Sequence, residues 1–234
     1  MGGLTFLTGV VHRDPLGYGK LAALFQEIEP KAITLEVSRH GVEFRKKHGS
    51  ALRLELLENI EQLAAELDTS ADHLISNGRI SEILVQLELP FEYTAAFEYA
   101  ESREILLVLA DLSLYSREKT KYFHDLISIS NLRNLLSSED APLEEKIVAE
   151  YQRARRELDD PKSSIDSIVW WASEARDEWD RREAHMARII RRTRKYIDER
   201  GGGSLVHVGG WQHLLSGGLG SRLHGMGYRS ILID

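Results

Sequence analysis

The chain predicts an α/β fold: a mostly parallel central sheet flanked by helices, with a long helical insertion before the last strands. Three observations carry this. Short apolar, β-branched runs are separated by segments whose apolar residues recur every three or four positions. A strand, a helix and a second strand fit between Leu4 and Val37, a βαβ spacing that makes the two strands parallel. From about Ser116 to Arg200 the pattern is almost wholly helical.

Each element follows from its residues. "LTFLTGVV" is a short buried strand. "YGKLAALFQEIE" (Tyr18 to Glu29) sets Leu21, Leu24, Phe25 and Ile28 on one helical stripe, and Pro30 ends it. "KAITLEV" (Lys31 to Val37) is the second strand. "SALRLELLENIEQLAAEL" and "SADHLISNGRISEILVQLEL" both have helical spacing, and after Pro90 "FEYTAAFEYAES" predicts another helix. "EILLVLAD" (Glu104 to Asp111) is a third strand, "GGGSLVHVGG" a fourth and "YRSILID" a last short one. Breaks in the helical stretch fall at "SSEDAP" and "LDDPKSS". The organisation expected is one domain over residues 1–234 with the insertion at about 113–200.

Composition narrows the class. With 42% hydrophobic and 29% charged residues, the chain of 234 residues can bury a sizeable core. A net charge of −7 argues against a nucleic-acid partner. There is no cysteine, so thiolate metal sites and disulfides are excluded. No apolar run approaches the ~20 residues of a membrane span, and "MGGLTFLTGVV" lacks the charged start of a signal peptide. A cytoplasmic protein is expected. Trp170, Trp171 and Trp179 load the insertion with aromatic surface, suited to a core or to a homodimer contact.

In an open parallel sheet, ligand sites gather at the carboxyl ends of the strands. His12 lies just past the first strand, Glu36 at the end of the second and Asp111 at the end of the third. After the fourth comes "GGWQH", in which Gly210, Trp211, Gln212 and His213 repeat the opening order Gly9, Val10, Val11, His12: glycine, two residues, histidine. One such motif is common by chance; two closing parallel strands are more specific. The plainer alternatives are two unrelated turns, Glu36 paired only with Arg39, and Glu92 serving only the first turn of its helix. His207, inside the fourth strand, reads as a core histidine. The basic cluster from Arg181 and Arg182 through Arg188 to Lys195 is flanked by acids at Glu174 to Asp180 and at Asp198 and Glu199, and reads as a solvated face. "GGLGSRLHG" does not directly follow a strand, as a dinucleotide fingerprint must.

Taken in order, these motifs resemble the TraB/TIKI superfamily, which is related to the erythromycin-esterase and ChaN-like proteins. The resemblance rests on Gly9 to His12, on "LEVSR" with Glu36 and Arg39, and on Glu92, Ala96 and Ala100 in "EYTAAFEYA". It continues through "DRREAHMARII" with Arg182 and ends at Gly210 to His213. The chain departs from the family where Leu112 follows Asp111, where an arginine is usual, and where Glu183 replaces an asparagine.

The resemblance implies a metal-dependent hydrolase, of peptidase or esterase type, acting on a small molecule or peptide. Imidazole and carboxylate together suit divalent manganese, cobalt or zinc. In that assignment His12, His213 and Glu36 hold the metal. Glu36, Glu92 and Arg182 are catalytic, and Arg39 and Asp111 bind substrate. Metal affinity should then weaken as pH falls through ~6.5, the ordinary histidine pKa. The alternative is a non-catalytic module using the same cleft to bind a ligand or haem, or to regulate.

Overall fold

A computed structural model describes residues 3–138, 140–168 and 173–234; Trp170 and Trp171 fall outside these. Five strands form one sheet, every pair parallel: β1 (Thr5–Val10), β2 (Ala32–Leu35), β3 (Leu106–Leu109), β4 (Leu205–Gly210) and β5 (Tyr228–Leu232). Their order is β3-β2-β4-β1-β5. Each lies inside the run that predicts it from the sequence.

The chain divides into two compact units. The first, Met1–Ser38 with Phe91–Leu112 and Tyr151–Asp234, contains the sheet. Thr5 sits beside Leu205 and Tyr228, and Ala32 beside Leu205 and Leu106. Side chains alternate along a strand, so Leu7, Ala32 and Leu205 share one face. That face packs on Met186, Ala187 and Ile190 of the helix Ser173–Asp198. The intervening residues take the other face, where Leu107 and Leu109 line a groove with Tyr93, Phe97 and Ala100 of the helix Phe91–Arg103. Beside that helix runs Gly17–Ile28, with Phe25 and Tyr99 rings 5.5 Å apart. It ends as the sequence predicts: Glu29 turns left-handed (φ 48°) ahead of Pro30, which disfavours helical backbone before it.

The second unit, Arg39–Pro90 with Ser113–Glu150, is helical throughout its regular elements. Leu52, Leu56, Ile60 and Leu63, spaced by three and four in Ser50–Glu66, pack with Ile80, Ile83, Leu87, Phe123 and Ile127. The stretch "SADHLISNGRISEILVQLEL" forms two helices, Ala71–Ser76 and Gly78–Leu87. Asn77 separates them: its backbone is extended and its side chain accepts the Arg79 N–H at 3.0 Å. Asparagine competes with helix in this way wherever it can cap. Of the stretch read as one insertion, residues 113–150 belong to this unit and residues 151–200 to the first. Among the described residues no helix is long and apolar enough to cross a membrane.

Candidate functional site

The carboxyl ends of four strands in the first unit bring their polar residues together. Glu36 follows β2 directly, and its N–H continues the ladder to the Val208 carbonyl at 2.8 Å. This keeps its carboxylate on the sheet face covered by Ser173–Asp198. There Arg182 donates to Glu36 Oε1 at 2.8 Å. The other oxygen, Oε2, accepts the Gly210 N–H at 2.7 Å and lies 2.8 Å from His213 Nε2.

His213 sits in a single 3-10 turn, Trp211–Leu214, immediately after β4. Its Nδ1 is hydrogen-bonded to Glu183 Oε1, and Trp179 stacks on the ring at 4.5 Å with planes 8° apart. Trp179 and Glu183 are four residues apart on one helix, so they face the ring together. His12 mirrors this arrangement from β1. Its Nδ1 bonds Glu92 Oε1 at 2.6 Å, and its Nε2 lies 3.6 Å from Glu36 Oε2, beyond hydrogen-bond reach. The two imidazoles therefore each have a private carboxylate at Nδ1 and turn Nε2 toward the same oxygen. They differ in access: the His12 side chain is 46% exposed, whereas that of His213 is 4% exposed.

The loop carrying His12 is fixed by Asp14. That buried carboxylate accepts the Leu16 N–H, the Lys20 ammonium and the Tyr151 hydroxyl, each at 2.9 Å. Close approach on the opposite side depends on glycine. A methyl group on Gly210 would lie 3.0 Å from His12 Nε2, and one on Gly209 would lie 3.0 Å from Glu36 Oε2.

The electrostatics follow from this crowding. Burial alone would raise the Glu36 pKa, but His213, His12 and Arg182 hold it well below the usual carboxylate range. Burial works against charge on His213 as well, yet Glu36 and Glu183 outweigh it and raise its pKa to about 9. His12 also moves up, against its desolvation, because Glu36 and Glu92 flank it. His207 goes the other way: burial, and then the charge of His213, lower its pKa to about 3 and keep it neutral.

The structure thus assembles His12, Glu36, Glu92, Asp111, Arg182 and His213. Asp111 is bound to Arg182 by both oxygens, at 2.9 and 3.0 Å, so it holds the guanidinium that holds Glu36. Arg39 belongs to the other unit. Its side chain is 82% exposed and paired with Glu43 four residues on. Glu183 and Trp179 join the residues that the sequence motifs point to. The available signal was their spacing with Met186 along the buried face of one helix.

Imidazole and carboxylate are donor types that divalent cations take, and here two imidazoles, each oriented through Nδ1, flank one carboxylate oxygen. Gly209 and Gly210 pack close beside that oxygen: a Cβ on Gly209 would lie 3.0 Å from it and one on Gly210 3.6 Å. Among the described residues no group of three or more His, Asp or Glu side chains stands in metal-holding geometry; the Nε2 atoms of His12 and His213 lie 3.6 and 2.8 Å from Glu36 Oε2. The chain matches no family model, no curated protein and no solved structure.

Proposed function

We propose that this cleft holds a divalent cation on His12, His213 and Glu36, and that the protein is a metal-dependent hydrolase acting on a small molecule or peptide. One observation carries the reading. Two imidazoles from opposite ends of the chain, each held at Nδ1 by its own carboxylate, direct Nε2 at a single oxygen of Glu36. Carboxylate–imidazole pairs of this kind orient ligands and raise their basicity in metal sites.

Manganese, cobalt or zinc bound there would supply an activated water and polarise a carbonyl oxygen. The protein's own groups divide the remaining work. Glu92 and Glu183 retain the Nδ1 protons and fix each ring. Arg182 and Asp111 act as positioning residues: the guanidinium grips Glu36 Oε1, which leaves Oε2 for the centre. Trp179 covers His213 and excludes water from the inner side, while the exposed edge of His12 marks the side open to substrate.

Elemental analysis of protein purified without a metal-affinity tag tests the reading. Hydrolysis of a panel of esters and peptides, before and after chelation and re-addition of manganese, cobalt or zinc, completes it. The expected result is about one cation per chain and activity that follows it. Absence of metal uptake, with a haemin spectrum that shifts in wild type but not in His12→Ala, would replace the hydrolase with a haem-binding cleft.

A further inference from the structure

His207 occupies the middle of β4, flanked by Leu7 on one side and Thr34 on the other, and is 1% exposed. An imidazole there needs a partner for each ring nitrogen. Thr34 Oγ1 meets Nδ1 at 2.9 Å, but Nε2 has neither a hydrogen-bond partner nor solvent. An apolar residue in the run "LVHVGG" would avoid that desolvation cost. Packing therefore gives no account of a histidine at this position.

The orphan nitrogen lies on the site face. His207 and Gly209 are two residues apart on β4 and share a face of the sheet. A methyl on Gly209 would lie 3.3 Å from His207 Nε2 and 3.0 Å from Glu36 Oε2. His207 Nε2 and Glu36 Oε2 thus border the same tight spot above Gly209, too close on both sides for a methyl without displacement. Glu183 Oε2 is a second buried polar atom without a partner, on the residue that holds His213.

We infer that His207 is a third imidazole of the cation centre, ligating through Nε2 beside Glu36. The inference rests on the proposed cation site. Each of the three rings then has the same construction: a side-chain oxygen fixes Nδ1, from Glu92, Glu183 or Thr34, and Nε2 is left for the centre. Three imidazoles and a carboxylate form a nitrogen-rich set that favours cobalt and zinc over magnesium and calcium.

The test uses the full chain, calorimetric titration with zinc and with cobalt, and the visible spectrum of the cobalt complex. The double variant Thr34→Val/His207→Leu removes both partners of the buried hydrogen bond and leaves none unpaired. Its metal-free form should melt at or above the wild-type temperature, while zinc and cobalt bind at least tenfold more weakly and the cobalt spectrum changes. Thr34→Val alone keeps every ring nitrogen, removes only the tether, and should weaken both metals about tenfold. It remains decisive if the double variant fails to fold. Wild-type affinity and an unchanged cobalt spectrum would make His207 an ordinary strand histidine and overturn the inference, with the cation site intact. No uptake by the wild type would remove the cation site itself, and this inference with it.

Discussion

Glu183 and His213, 30 residues apart, form a carboxylate–imidazole pair closed to solvent: Glu183 is fully buried and His213 is 3% exposed. Glu183→Gln keeps the size and an acceptor for Nδ1–H but removes the charge. The His213 pKa should fall from about 9 toward its ordinary value, and metal affinity should drop ~10–100-fold, as for other outer-shell partners. Imidazole NMR titration and calorimetry read both effects. An unmoved His213 titration would assign its elevation to Glu36 alone.

Removal of either imidazole should abolish cation binding. His12→Ala and His213→Ala each delete a ligand, whereas His73→Ala changes a helix of the second unit and should bind as wild type. Because neutral nitrogen is the ligand, bound protons must leave first. With the His213 pKa at about 9, affinity should keep rising with pH up to about 9. The neighbouring carboxylates thus correct the expectation of a transition near ~6.5. Titrations in buffers of different ionisation enthalpy should show proton release at pH 7.5; release of none would refute the linkage.

Metal-free stability should peak near neutrality. His207 has a depressed pKa of about 3, so the unfolded chain binds more protons below ~6.5 and stability falls as pH drops through that range. His213 has a raised pKa, so its contribution is complete below ~6.5 and is lost as pH rises toward about 9. Each group contributes a slope of at most about 1.4 kcal/mol per pH unit. Urea unfolding between pH 5 and 9 should therefore trace a maximum, and a monotonic curve would contradict these assignments.

Gly210→Ala tests the close approach at the end of β4. Its methyl would press on His12 Nε2 and Gln212 Oε1, both at 3.0 Å. Side chains rather than backbone must yield, so stability should change by less than about 1.5 kcal/mol. Metal affinity should fall at least tenfold. Denaturant midpoints and calorimetry on the same preparation separate the two, and equal affinity would show that the edge has slack.

The strands were legible because parallel strands buried on both faces leave continuous apolar runs in the sequence. "LTFLTGVV" and "KAITLEV" show this plainly. The strand-end rule likewise located His12, Glu36, Asp111 and His213 without any knowledge of contacts. The partition of the helices was not legible, because periodicity reports that a face is buried and not what buries it. Asn77 shows the limit at short range, where one side chain capping a backbone N–H divides a periodic run. Arg39, three residues past Glu36, illustrates it at the site: the chain turns into a helix of the second unit there, and the guanidinium meets Glu43. Glu183 was hidden for a further reason. A carboxylate on a charged helix reads as solvated until the helix is known to bury that face.

β1 sits between β4 and β5, so Thr5 finds its sheet neighbours only at Leu205 and Tyr228. Pairings so distant in sequence give the sheet a high contact order, and closing such loops slows folding. On the ribosome β1 emerges long before either neighbour exists, as an apolar strand with both edges unpaired. The helical second unit, whose contacts are more local, can form first. His12 and His213 meet only when the sheet closes, so the appearance of cation binding during refolding should coincide with the slowest phase.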